Sequence, residues 1–208
     1  MLTARISSLV IDKLCDRDVG QKIAVACFYC DFQNQKMQTP ENMLGALVKQ
    51  VIGKLGVIPP EIDAAFQKAK GQVGGWGLRT PEALELLKAA VAPLNQAFIC
   101  IDALDELQGK HLPKLLRSLH AISESYPGVR FFFTGRPHIE AEIEKYFPGS
   151  ARFLQIKPTK EDIMRYVEMM LDNDSDPDAM NSNFQAEIMS RVSETISDVY
   201  VTAIFCSS

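Results

Sequence analysis

Apolar residues along this chain fall into two rhythms. Leu2, Ile6, Leu9, Val10 and Leu14 recur at helical spacing and predict a core helix at the start of the chain. Ile23 to Phe32 is a near-continuous apolar run and predicts a buried strand. Pro40 to Leu55 predicts a helix with Thr39 as its cap, Pro40 in its first turn and Gly56 as its end. Residues 58–79 then predict a connection with a short helix and a Gly-rich tip around Trp76. Thr80-Pro81-Glu82 opens another helix by the capping chemistry already used at Thr39.

The second half repeats the alternation. Phe98 to Ile101 predicts a strand, Leu112, Leu115, Leu116, Leu119 and Ile122 mark one side of a helix, and Val129 to Thr134 predicts another strand. A helix over 138–147 and a short strand over Arg152 to Ile156 follow. Thr159 with Asp162 predicts the cap of a helix over 160–173, and a polar stretch over 173–183 leads to a last helix over 184–197. The final residues, Ser197 to Ser208, turn apolar. Unbroken apolar strands alternating with helices specify an α/β fold, a three-layer parallel sheet covered on both faces. Ligands on such sheets sit at the carboxyl ends of the strands, which is where Asp102 and the turn Gly135-Arg136-Pro137 fall.

A net charge of −4 supplies no general field for nucleic acid or an anionic membrane, and no apolar run is long enough to span a bilayer. Asp12 and Asp16 break any presequence pattern at the start, and five scattered cysteines read as reduced thiols. Cys27 and Cys30 spell C-x-x-C, but three positions apart on a strand they point to opposite faces. His111, His120 and His138 lack metal-ligand spacing, and no Ser/His/Asp or Cys/His/Asp arrangement stands out. The G-x-x-x-x-G-K-[ST] phosphate loop is absent. Gly53-Lys54 and Gly109-Lys110 lack its other members, and the segment Gly71 to Arg79 lacks its Lys.

The candidate chemistry lies in "FICIDALDEL". A strand-terminal Asp102 beside a triphosphate can hold Mg²⁺, and a following carboxylate, Asp105 or Glu106, can orient the attacking water. The competing reading is a solvated acidic loop that caps the next helix. Arg136 can reach a terminal phosphate, or it is a surface residue in a turn that Gly135 and Pro137 would form anyway.

Together these words resemble the NACHT module of signal-transducing (STAND) P-loop NTPases. The likeness is to the nephrocystin-like N-terminal type found in fungal receptors of the NLR kind that carry ankyrin or WD repeats. "VACFYCDFQNQKMQTPENMLGALVKQV" resembles that family's second strand and helix, "FICIDALDEL" its Walker B box, and "RFFFTGRPHIEAEI" its sensor strand. The resemblance implies Asp102 as the Mg²⁺ carboxylate, Asp105 and Glu106 as water-positioning acids, and Arg136 as the γ-phosphate sensor. It implies a P-loop NTPase core over 1–157 that starts after the Walker A loop, and the start of a helical region over 158–208, cut short.

The expectations follow from that resemblance. The intact family uses Mg²⁺ with ATP or GTP; this chain is expected to bind neither tightly and to hydrolyse neither efficiently. A cytoplasmic receptor is implied, with effector and repeat domains in cis, homotypic NACHT contacts, and no nucleic acid or membrane partner. A non-catalytic interaction module or a non-functional gene fragment are the alternatives. The family's strand order places the phosphate-loop strand between the sensor strand and the final strand. The expectation is therefore a gap of about 10 Å between Val129–Thr134 and Arg152–Ile156. Either the last strand slides inward to pair with the sensor strand or backbone is left unpaired, and the chain is poorly stable and aggregation-prone.

Overall fold

The computed structural model describes residues 2–16, 22–70, 79–157, 159–172, 182–195 and 201–207. The Gly-rich tip around Trp76 and most of the polar stretch after residue 172 lie outside the described residues. Along the chain run α1 (Leu2–Cys15), β1 (Ile23–Tyr29), α2 (Pro40–Ile52), α3 (Pro60–Lys70), α4 (Thr80–Val91), β2 (Gln96–Asp102) and α5 (Leu112–Ser125). They are followed by β3 (Val129–Gly135), α6 (Glu140–Tyr146), β4 (Ala151–Ile156), α7 (Lys160–Asp172), α8 (Ser182–Thr195) and β5 (Val201–Ser207). Two compact units result: Met1–Leu154 with Thr202–Ser208, and Gln155–Val201.

The five strands form one sheet in the order β1-β2-β3-β5-β4. β1, β2 and β3 are parallel, with Val25 beside Phe98 and Ile99 beside Phe131. Strand side chains alternate between faces, so Ile99, Ile101, Phe131 and Phe133 share one face and join the buried cluster of Leu44, Leu47, Leu87, Leu115 and Leu119. Those leucines come from α2, α4 and α5, whose apolar residues recur every three or four positions. The opposite face carries Phe98, Cys100 and Phe132, and there Val10 and Leu14 of α1 line a hollow with Phe98 and Phe132. In the second unit Thr159 and Asp162 form the expected reciprocal cap. Thr159 N–H donates to Asp162 Oδ2 at 3.0 Å, and Asp162 N–H donates to Thr159 Oγ1 at 3.1 Å.

Several element ends differ from the sequence reading. β1 stops at Tyr29 because Asp31 accepts from Gln33 N–H and starts a 3₁₀ turn over Phe32–Asn34. Thr39 caps α2 as expected, accepting from Asn42 N–H, but the helix ends at Ile52 with Gly53 as its C-cap. Thr80 does not cap α4. Its hydroxyl donates to Glu41 in the first turn of α2, and Glu82 closes the helix start by accepting from Arg79 N–H at 3.1 Å.

The largest correction concerns the expected gap. β5 lies in that slot, between β3 and β4, and pairs antiparallel with β3 from Arg130–Ser207 to Gly135–Thr202. Its Ala203, Ile204 and Cys206 are buried, and Ile204 and Cys206 join the main core cluster. Thr202 Oγ1 donates to Glu140 Oε1 at 2.6 Å, which fixes the strand to α6. The sheet is therefore mixed rather than parallel throughout. The reason for expecting unpaired backbone at its centre is gone: an alternating apolar strand fills a sheet slot in either direction if its side chains land in register.

Candidate functional site

Asp102 is the last residue of β2, and it is buried, with 5 % of its surface exposed. A carboxylate so placed must be hydrogen-bonded or neutralised. Its Oδ1 accepts from Ser7 Oγ at 2.5 Å and from Thr134 Oγ1 at 2.6 Å. The two hydroxyls lie 3.5 Å apart, and Thr134 Oγ1 also accepts from Ala103 N–H at 3.0 Å. Three elements thus converge on one oxygen: α1 through Ser7, β2 through Asp102, and β3 through Thr134. Cys30 N–H donates to Asp102 O at 3.0 Å and holds the strand end from the β1 side.

The chain then turns sharply. Ala103 sits in the left-handed region at φ 51°, and it is the only such non-glycine among the described residues. An L-residue there costs roughly 1–2 kcal/mol. The 3₁₀ turn Leu104–Glu106 follows, anchored by buried Leu104 and Leu107. This turn swings Asp105 toward the end of β3, where its Oδ1 accepts from Arg136 N–H at 3.2 Å and its Oδ2 lies 3.5 Å from Arg136 Nε. Gly135 makes the approach feasible, since a Cβ there would stand 3.0 Å from Asp105 Oδ1 and 2.5 Å from Ile139 Cδ1.

Glu106 faces the other way. Its Oε2 accepts from Phe32 N–H at 3.0 Å, and its backbone O accepts from Gln35 Nε2 at 2.7 Å. Neither acid caps α5, whose N-cap is His111; the reading of the acids as a helix cap does not hold. The Asp105 carboxylate is almost covered, while the Arg136 guanidinium stands largely in solvent. Asp102, Asp105 and Arg136 thus gather at one end of β2 and β3, and Glu106 ties that end to the loop after β1.

Cys30 reports on the cluster. Burial first, then the negative charges of Asp102, Glu106 and Asp105, push its thiol up to about 12. It stays protonated near neutral pH and is no nucleophile. Cys27, its C-x-x-C companion, is shifted upward by burial and then by Cys15.

Ser7 and Thr134 were missed by sequence reasoning. Both leave a signal: Ser7 stands four and seven residues before Ile11 and Leu14 on α1, and Thr134 ends the run "VRFFFT" on the same face as Phe132. A hydroxyl on a buried face asks for a polar partner, and Asp102 is that partner.

Residues 4–136 match the family described as Nephrocystin 3, N-terminal, a span from α1 to the Arg136 turn. No curated protein and no solved structure matches the chain. The match covers more than half of the 208 residues and every candidate site residue, Ser7 and Thr134 included. The chain belongs to the nephrocystin 3 N-terminal family.

Proposed function

We propose that the chain is a NACHT-type nucleotide-binding core of a signal-transducing P-loop NTPase receptor, and that residues 1–208 alone neither bind nor hydrolyse ATP or GTP efficiently. One observation carries the reading: a buried carboxylate, Asp102, ends a central parallel strand with one oxygen held by two hydroxyls, and Arg136 stands exposed at the end of the neighbouring strand. Crevices at the carboxyl ends of parallel strands are where such folds take nucleotides.

The donor set fits Mg²⁺ in a particular way. Asp102, Ser7 and Thr134 offer hard oxygens, which suit Mg²⁺ better than a soft metal. Among the described residues no group of three or more His, Cys, Asp and Glu side chains forms a metal cage. One carboxylate suits an ion carried in on phosphates rather than a free ion. In this reading Asp102 holds the metal, Arg136 meets the terminal phosphate, and Asp105 and Glu106 orient water. When bound, the ion would neutralise charge developing on the phosphoryl oxygens. The sequence has no G-x-x-x-x-G-K-[ST] run, and in P-loop proteins that loop provides much of the grip on the β- and γ-phosphates.

A specific observation favours the second reading, a non-catalytic interaction module. The carboxylates of Asp105 and Glu106 already accept from the backbone N–H groups of Arg136 and Phe32, which stabilises loops and leaves less capacity for water. Calorimetric titration with Mg-ATP and Mg-ADP decides between them. The proposal expects weak binding, unsaturated at millimolar nucleotide, that differs between ATP and ADP and is lost in Asp102→Ala. Equal heats for both nucleotides, unchanged in Asp102→Ala, would support the module. Micromolar binding would overturn the claim that the chain lacks its phosphate grip.

A further inference from the structure

Two glutamine side chains stand in the place of strand backbone, one at the outer edge of β1 and one just past the end of that strand. β1 ends the strand order, and among the described residues its sheet partner is β2 alone. Alternate residues of a strand in a parallel pair point their N–H and C=O groups to opposite sides. Cys30 N–H donates to Asp102 O, and Asn95 N–H donates to Lys22 O at 2.8 Å, so the even-numbered residues face β2. The odd-numbered ones, Ile23 to Tyr29, face outward, and Asp31 continues the row two residues past the end of the strand.

Gln50, on α2, meets the middle of that row. Cys27 N–H donates to Gln50 Oε1 at 2.9 Å, and Gln50 Nε2 donates to Cys27 O at 2.7 Å. Gln38, buried just before α2, repeats the arrangement four residues on. Asp31 N–H donates to Gln38 Oε1 at 3.2 Å, and Gln38 Nε2 donates to Asp31 O at 2.8 Å. A carboxamide carries the same N–H and C=O as a peptide unit, so each glutamine completes the bond pair that a neighbouring strand would make. The strand itself, Ile-Ala-Val-Ala-Cys-Phe-Tyr, has no charge and no proline, which are the usual devices against edge pairing. At the opposite end of the sheet β4 does carry a charge, Arg152.

We propose that Gln38 and Gln50 are a side-chain cap that closes the β1 edge to strand addition, and that the strand excluded is β1 of a second copy of this chain. A strand edge paired antiparallel with its own copy is two-fold symmetric and offers the same outward row from each side. An uncharged seven-residue edge is long enough for such pairing. The cap rests on residues at the edge of the sheet and is independent of any nucleotide at Asp102.

The test uses the full 208-residue chain. Gln50→Ala removes the pair at Cys27; Gln50→Glu keeps the chain length but sets a carboxylate oxygen against Cys27 O. Light scattering across a concentration series should show both variants shifting from monomer to dimer at least tenfold lower in concentration than the parent. Hydrogen exchange at the Cys27 amide should quicken at least tenfold in the dilute variants and slow again as the dimer forms. Adding Tyr29→Lys, a charge at an exposed position of the same edge, should restore the monomer. Parent-like masses in both Gln50 variants at every concentration would overturn the proposal. So would a dimer that persists with Tyr29→Lys, since the contact would then lie elsewhere.

Discussion

β2 and β5 are the two neighbours of β3, and they meet it in opposite ways. β2 runs parallel to β3 and is joined to it through α5; β5 runs antiparallel and returns from the far end of the chain. The family match covers the first and stops short of the second. Yet Phe133 is flanked by Ile101 from β2 and Ile204 from β5, and all three side chains are fully buried. One place farther, Phe132 stands between Cys100 and Phe205, and its ring lies 5.0 Å from that of Phe205. The difference teaches that sheet packing reads the two-residue alternation and the register, whereas strand direction is left to the connections.

Paired substitutions at this junction break or sharpen the comparison most strongly. Ile101→Ala and Ile204→Ala each delete a buried branched side chain from the same layer, and each should cost about 2–5 kcal/mol. Urea unfolding at matched conditions should place the two costs within about 1 kcal/mol of each other. A cost below about 1 kcal/mol for Ile204→Ala alone would mean that β5 does not close the core in solution.

The thiols give a second comparison, by rate and by pH. Cys100 and Cys206 are buried on the two sides of β3, and burial pushes both up to about 12. Both should resist a thiol reagent near neutral pH, while exposed Cys15 reacts at once. Labelling of Cys206 a hundredfold or more ahead of Cys100 would show β5 opening by itself. The pH sign is fixed by linkage. Above 9.0 the unfolded thiols lose protons that the folded ones keep, so stability falls as pH rises from about 9 toward 12. Cys100→Ala and Cys206→Ala should each flatten that fall, and by similar amounts if the two strands are equally closed.

Much of the first half was legible in the sequence, because its signals are local. The runs ending at Asp102 and Thr134, the Thr39 cap, and the leucines of α5 each follow from spacing and capping alone. β5 was not legible in the same sense. "VTAIFCS" carries a strand's composition, but its slot depends on pairing with residues about 70 positions earlier, across a separate unit. The site divides the same way. Asp102, Asp105 and Arg136 were readable as strand-end residues, while Ser7 became part of the site only when α1 packed 95 positions away from its partner. The bonds of Glu106 to the loop after β1 were likewise invisible, since nothing local records that Phe32 N–H lacks a helical or strand partner.

Thr134 joins the parallel half to the site, and Thr134→Val isolates its hydroxyl at nearly constant volume. The change removes a donor to Asp102 and an acceptor for Ala103 N–H, leaving Ser7 as the remaining hydroxyl on Oδ1. A loss of about 1–3 kcal/mol is expected from urea unfolding, because the groups left behind are buried. Ser7→Ala removes one hydroxyl and frees no backbone group, so it should cost less than Thr134→Val. The reverse order would mean that α1, rather than β3, orients the Asp102 carboxylate.

The smallest effect is expected at Ala103, and its sign is the informative part. The residue holds the left-handed conformation that turns the chain from Asp102 toward Asp105. Glycine adopts that conformation without the roughly 1–2 kcal/mol penalty of an L-residue. Against this, glycine loosens the unfolded chain and costs about 0.4–1 kcal/mol. Removing the Cβ, which is buried, also forfeits a little packing. Ala103→Gly should therefore stabilise the fold by less than about 1 kcal/mol, seen as a small rise in the unfolding midpoint with unchanged denaturant dependence. Ala103→Val must go the other way, since a β-branched side chain is worse placed there than alanine. If both substitutions destabilise equally, the left-handed turn is not where the chain stores strain, and Asp105 reaches Arg136 by another route.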